Sequence, residues 1–112
     1  MICNHWDVVA VPFPFMDRPA VKRRPALVIS TKDFNAGNDH SVMAMITAAL
    51  LDRWPSDYDL TKPREAGLKH DCYVRWKIFT LPNSEIVKKI GELSDDDREA
   101  LMVKARTIFI RA

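Results

Sequence analysis

Apolar residues of this chain come in short runs, the pattern of β-strands. Runs rich in Val, Ile, Phe or Leu predict strands at residues 7–15, 24–31, 41–49 and 72–81. Residues 86–93 fit either a strand or a helix, although a glycine within them disfavours a continuous helix. The chain is therefore predicted to consist mainly of β-structure.

Proline and other turn-forming residues predict where the strands end. Pro12 and Pro14 lie two residues apart, so both lack an N–H on the same side, which predicts an edge strand that leaves the sheet near Pro12. Residues 32–40 hold a cluster of turn formers and are predicted to be a loop. Residues 52–69 are predicted to be a long surface connection with at most a short strand at 58–60.

One helix is clear near the end of the chain. Ser94 is a predicted N-cap, and the three aspartates that follow it favour the positive end of a helix. An apolar stripe at helical spacing then follows, made by Leu101, Met102, Ala105, Ile108 and Phe109. About five short strands and this helix predict one domain over residues 1–112, an α+β fold built as a small, strongly bent β-barrel with a helical flank.

Composition narrows the class of protein only a little. The 17 basic and 15 acidic residues give a net charge of +2, so any attraction to nucleic acid must come from local clusters. Cys3 and Cys72 have neither metal-ligand nor redox spacing; a reduced pair is favoured, and one disulfide stays open. The sequence contains no recognisable signal peptide and no membrane-length apolar run, which predicts a soluble, cytoplasmic protein.

Two blocks near the start carry a family resemblance. Residues 7–15 read DVVAVPFPF, and residues 22–30 read KRRPALVIS. Together they resemble the opening of the PemK-like branch of the MazF/PemK toxins. Later similarities are MIT at 45–47, VR and IFTL within 74–81, and KIGELS at 89–94.

This resemblance implies a fold, an activity and a set of partners. The fold would be an SH3-like barrel of the CcdB/MazF type, and the protein a homodimer inhibited by a separately encoded antitoxin. The activity would be cleavage of single-stranded messenger RNA at short sequence motifs, with no metal or other cofactor.

The resemblance also implies the catalytic pair, Arg24 and Thr47. Metal-free cleavage needs a base for the 2′-hydroxyl, a cation for the phosphate and an acid for the 5′ oxygen, and it leaves 2′,3′-cyclic phosphate and 5′-hydroxyl ends. A guanidinium can hold a phosphate in bidentate fashion, and a threonine hydroxyl can bond a phosphate oxygen or the 2′-hydroxyl. Taken alone, Arg24 also fits a surface charge, and Thr47 fits a simple strand residue.

Two further groups are candidates for RNA binding, one beside Arg24 and one in the later strand: Asp17, Lys22, Arg23, Arg75, Trp76 and Lys77. The basic members would neutralise phosphates, and the indole offers a stacking platform for a base. Each lysine or arginine also fits solvated surface charge, and Trp76 fits a core or dimer-interface aromatic.

The chain departs from the family pattern at two places. Trp6 stands where relatives have a glycine before Asp7, and Trp76-Lys77 follows Arg75 where many relatives have an acidic residue. The second departure leaves the mechanism dependent on Arg24. The three histidines, His5, His40 and His70, are predicted to be surface residues, with no two brought together.

Two other classes remain open. A CcdB-like toxin shares the barrel but binds DNA gyrase without catalysis. A plain SH3-like interaction module is the third interpretation, although it leaves the basic cluster at 22–24 without a role.

Overall fold

A computed structural model describes residues 1–13, 22–48 and 52–110. The six strands are β1 (Asp7–Phe13), β2 (Lys22–Val28), β3 (His40–Thr47), β4 (Tyr58–Asp59), β5 (Tyr73–Pro82) and β6 (Lys88–Glu92). The helices are α1 (Lys32–Asn38) and α2 (Asp95–Ile108), and two 3-10 turns span Arg64–Ala66 and Asn83–Glu85. The strands form one curled antiparallel sheet in the order β4-β5-β3-β2-β1-β6. This half-barrel with a C-terminal helix confirms the predicted fold class.

β1 lies inside the sheet over its first half. Residues 8–10 pair with β2 on one side and with β6 on the other, whereas residues 11–13 pair only with β2 among the described residues. The prediction of an edge strand is therefore wrong for residues 8–10. Pro12 belongs to the second half of β1, beyond the pairing with β6, so its missing N–H costs that pairing no hydrogen bond.

The predicted loop at 32–40 is also wrong, because residues 32–38 form α1. The Thr31 side chain accepts a hydrogen bond from the Phe34 N–H and caps this helix. Asn35 is fully buried and donates to the backbone carbonyls of Cys3 and Ser30. These turn-forming residues adopt a helix because hydrogen bonds to Cys3 and Ser30 hold Asn35 inside the protein.

Apolar side chains are buried on both faces of the sheet. Val8 and Leu27 belong to a cluster that includes Leu101 of α2, while their neighbours Val9 and Ala26 belong to a second cluster on the opposite face. Strand alternation explains this division. The helix covers one face through Leu101 and Ala105, whereas the predicted stripe residues Met102, Ile108 and Phe109 are exposed. No helix within the described residues is long and apolar enough to cross a membrane.

The start of α2 is tied to the segment around β4. Ser94 caps the helix by accepting a hydrogen bond from the Asp97 N–H, as predicted. The Asp97 carboxylate is fully buried and accepts hydrogen bonds from the Tyr58 hydroxyl at 2.7 Å and from both the N–H and the hydroxyl of Thr61. The Lys62 N–H adds another at 3.2 Å. This carboxylate fixes the path of the long connection that leads to β5.

Candidate functional site

Arg24 and Thr47 lie on the same face of the sheet. The register of β2 against β3 pairs Ala26 with Met45, and strand alternation puts Arg24 on the face of Ala26 and Thr47 on the face of Met45. Thr47 pairs in turn with Tyr73 on β5. The two predicted catalytic side chains therefore share a face of the sheet on adjacent strands, and both line one cleft.

A cleft of about 550 Å³ opens at this place, and we call it the Arg24 cleft. Apolar residues of β1, β3, β5 and β6 form much of its wall. Its basic side chains are Arg24 from β2, Lys69 and His70 from the loop before β5, and Lys88 at the start of β6. Thr47 lines the cleft beside them.

The loop that carries Lys69 and His70 is held close to β6. Gly67 has a φ of 82°, a left-handed conformation that favours glycine. A Cβ at this position would lie 2.5 Å from the Ile90 carbonyl oxygen. The Leu68 N–H donates to the Pro63 carbonyl at 3.0 Å, and the Leu68 side chain is buried. This close approach of two backbone segments sets the position of the residues that follow.

The four basic side chains of the cleft have no hydrogen-bond or ion-pair partner among the described residues, and no described carboxylate lines the cleft. Several basic side chains elsewhere are paired: the Arg75 guanidinium lies 2.8 Å from Asp57, and the Lys89 ammonium lies 2.9 Å from Glu92. Unpaired positive charge in a concave site attracts anions, and a polyanion most of all. The cleft is therefore suited to a phosphate chain.

Arg75, a predicted RNA-binding residue, is already engaged within the protein. Its guanidinium donates to both oxygens of Asp57, at 3.1 and 2.8 Å, and to the backbone carbonyl of Asp52. It also lies 4.9 Å from the centre of the Trp54 ring. Burial raises the pKa of Asp57, but the hydrogen bonds from Arg75, Trp54 and Arg53 and the Arg75 charge outweigh it and lower that pKa. A substrate would have to compete with this ion pair for Arg75.

Trp76 and Lys77 do not line the Arg24 cleft. They occupy a bulge in β5, where the register against β3 shifts between Ala44 and Met45. The Trp76 ring is buried in the cluster beneath α2 and contacts the Phe109 ring edge-on, with centroids 5.5 Å apart. Trp76 thus has the core position that was the alternative interpretation of this residue, and Lys77 is exposed.

Among the residues beside Arg24, Lys22 and Arg23 are exposed on β2. Strand alternation places Lys22 on the same face as Arg24 and directs Arg23 to the opposite face. Asp17 lies outside the described residues. The structure does not test the RNA-binding role of these three residues, and each role stays a prediction.

Lys69, His70 and Lys88 are the basic cleft residues that the sequence did not predict as site residues. Lys69 and His70 precede β5 and Lys88 opens β6, so they are far from Arg24 along the chain. Lys69 ends the long polar connection at 52–69 and His70 follows it, a place typical of functional loops, whereas Lys88 has no such signal. Only the tertiary structure brings them close to Arg24.

The remaining histidines and the cysteines have other surroundings. His40 is exposed, as predicted, but His5 is half-buried and stacked on Trp6 with ring centroids 4.0 Å apart. Burial and the charge of Arg98 lower the pKa of His5. Both cysteines are free thiols. Within residues 1–13, 22–48 and 52–110, no three His, Cys, Asp or Glu side chains lie together as metal ligands would.

Trp6, which stands where the family resemblance expects a glycine, has a backbone conformation that glycine adopts easily. Its φ is 72°, a left-handed conformation that is rare for a bulky residue, yet the indole is buried in the cluster beneath α2. The backbone here keeps the conformation that a glycine would adopt without strain, and burial of the ring offsets the cost.

Comparison with known proteins places this fold in a family. Residues 4–109 match the family model described as "PemK-like, MazF-like toxin of type II toxin-antitoxin system". An endoribonuclease in complex with its cognate antitoxin from Mycobacterial species has a similar structure, with a TM-score of 0.75 and 16% identity, over 99% of this chain and 97% of that one. MazE-MazF from Deinococcus radiodurans, crystal form III, has a TM-score of 0.74 and 16% identity over 96% of each chain.

The Mycobacterium tuberculosis toxin MazF-mt6 is also similar, with a TM-score of 0.70 and 18% identity over 92% of this chain and 95% of that one. A comparison with curated protein sequences found no match. At these identities the likeness to solved structures shows the fold, while the family model spans nearly the whole chain. The protein is a toxin of a type II toxin-antitoxin system, and it belongs to the PemK-like, MazF-like family.

Proposed function

We propose that this toxin is a metal-independent endoribonuclease that cuts single-stranded messenger RNA in the Arg24 cleft. The observation that carries the proposal is the meeting of Arg24, Thr47 and three more basic side chains in one cleft without a described carboxylate. Structural neighbours that share the fold are themselves described as endoribonucleases.

Each of the two predicted catalytic residues has a role that suits its place. The Arg24 guanidinium would hold the non-bridging oxygens of the scissile phosphate and stabilise the charge that builds up on them. The Thr47 hydroxyl, on the neighbouring strand, would bond a phosphate oxygen or orient the attacking 2′-hydroxyl. Attack by the 2′ oxygen would leave a 2′,3′-cyclic phosphate and a 5′-hydroxyl.

Neighbouring nucleotides would lie along the basic wall of the cleft. Lys69 and Lys88 would each neutralise a flanking phosphate, which makes binding weaker as salt concentration rises. Lys22 extends the same face of β2 beyond Arg24. Of the residues in the later strand, exposed Lys77 has no ion pair among the described residues, whereas Arg75 would have to leave Asp57 to contact RNA.

The partners follow from the same proposal. Two of the structural neighbours are complexes of a toxin with its antitoxin. We propose that a cognate antitoxin inhibits this protein by covering the Arg24 cleft with acidic side chains, and that the toxin acts as a homodimer in the cytoplasm.

The test is cleavage of a long, unstructured RNA by the purified protein in EDTA, with the ends mapped by primer extension. Discrete cuts are expected, each abolished by a 2′-deoxy substitution at the cut and reduced at least about 100-fold by Arg24→Ala. Arg106→Ala is the matched control, because Arg106 is an exposed arginine on α2 and no residue of α2 lines the cleft. Intact RNA from folded protein would contradict the proposal and would lead to a test of gyrase binding.

A further inference from the structure

RNA cleavage in the Arg24 cleft needs a group that can take a proton at neutral pH. Arginine and lysine side chains in general keep their protons there, so they stabilise charge but do not act as bases. The described residues that line the cleft include no carboxylate. Burial and the charge of Asp71 raise the pKa of the Cys72 thiol, which stays protonated. Histidine is the side chain that changes charge between pH 5 and 8, and one histidine, His70, lines the described part of the cleft.

His70 is exposed, yet the backbone beneath it is anchored on both sides. The Arg64 guanidinium donates to the Lys69 carbonyl at 3.2 Å. The Cys72 thiol donates to the His70 carbonyl at 3.2 Å. These two hydrogen bonds hold the backbone that carries the exposed ring beside the cleft.

We propose that the His70 imidazole is the catalytic proton-transfer group of this toxin. The inference rests on the proposed ribonuclease function. The neutral ring takes the proton of the 2′-hydroxyl as the 2′ oxygen forms its bond to phosphorus. The resulting imidazolium gives that proton to the 5′ oxygen as the bond between phosphorus and the 5′ oxygen breaks. No proton is gained or lost overall, and Arg24 holds the phosphate charge throughout.

The charged groups around His70 affect RNA binding, whereas the imidazole itself affects the pH dependence of cleavage. Arg24, Lys69 and Lys88 line the cleft with it, and their removal weakens RNA binding at every pH. Asp71 follows His70 in the chain and does not line the cleft. A change in the pH dependence of the chemical step, separate from a change in binding, therefore reports on the imidazole.

The experiment measures kcat and KM for a defined RNA in EDTA from pH 5 to 8, for the wild-type protein, His70→Gln, His70→Ala and Arg24→Ala. His70→Gln is expected to lower kcat about 100-fold or more with little change in KM, and to remove the acidic inflection of the wild-type profile. Added imidazole is expected to restore cleavage by His70→Ala and not by Arg24→Ala. His40→Gln is the matched control, because His40 is exposed at the start of β3 and does not line the cleft.

The outcomes separate the two proposals. If the wild-type protein cuts RNA and Arg24→Ala does not, while His70→Gln keeps the wild-type rate and inflection, the role of His70 is overturned and the ribonuclease stands. A slow His70→Gln that keeps the inflection, with no rescue of His70→Ala by imidazole, would also overturn it, since that is a purely structural effect. A folded wild-type protein that cuts no RNA overturns both. Circular dichroism and thermal unfolding confirm that each variant is folded.

Discussion

The buried carboxylate of Asp97 offers a direct test of how α2 is attached to the sheet. Asp97→Ala removes the acceptor of hydrogen bonds from Tyr58, Thr61 and Lys62, and it also removes a negative charge from the first turn of the helix. A hydrogen bond to a charged group contributes about 1.5–3 kcal/mol. The donors lie near the surface and regain water, so the contributions do not add fully, and we expect a loss of about 3 kcal/mol.

Urea unfolding followed by circular dichroism measures this loss. With a slope of about 1.5 kcal/mol per molar urea, a loss of about 3 kcal/mol lowers the midpoint by about 2 M. Asp96→Ala is the matched control: Asp96 is one residue earlier in the same turn, but its carboxylate is 70% exposed and pairs with Lys62 at the surface. Its midpoint should change much less. Equal changes in the two variants would refute the reasoning.

The same carboxylate predicts how stability depends on pH. Burial raises the pKa of Asp97, but hydrogen bonds from Thr61, Tyr58 and Lys62 outweigh burial and lower it. A pKa that is lower in the folded state means that the contribution is complete above the unfolded value of about 3.9 and is lost as pH falls through the folded value. The stability difference between wild type and Asp97→Asn should therefore shrink below about pH 4; a difference that grows there would contradict this.

Further substitutions test the left-handed backbone at Gly67 and Trp6. Gly67→Ala should lower the free energy of unfolding by about 2–4 kcal/mol, from backbone strain and a clash with Ile90, whereas Gly37→Ala, with open space around it, should be neutral or slightly stabilising. Trp6→Gly should be destabilising by loss of the buried ring, yet more stable than Trp6→Ala by about 1 kcal/mol, because alanine keeps the strain of a Cβ at positive φ. Denaturant titrations of the four proteins decide both, and the reverse order at either site would contradict the argument.

The accuracy of each sequence-based prediction depended on how local its cause is. The N-cap Ser94 and the helix that follows it were predicted correctly, because capping and helical propensity act within a few residues. Of the predicted apolar stripe only Leu101 is buried and Ala105 half-buried, whereas Met102, Ile108 and Phe109 are exposed. The turn formers at 32–40 led to a wrong prediction because the helix there depends on contacts beyond the local pattern. Asn35 is held inside the protein by hydrogen bonds to Cys3 and Ser30, which pattern alone does not reveal.

For the site, the sequence by itself determined the β-rich class, the C-terminal helix and the motif that contains Arg24. Only the tertiary structure decided that Lys69, His70 and Lys88 share a cleft with it, because the register of the strands and the close approach of Gly67 to β6 bring distant segments together. The tertiary structure also decided which basic side chains have an ion-pair partner among the described residues and which do not. Burial and pairing depend on neighbours that are far apart in the chain, and these are set only when the sheet curls and α2 covers one face.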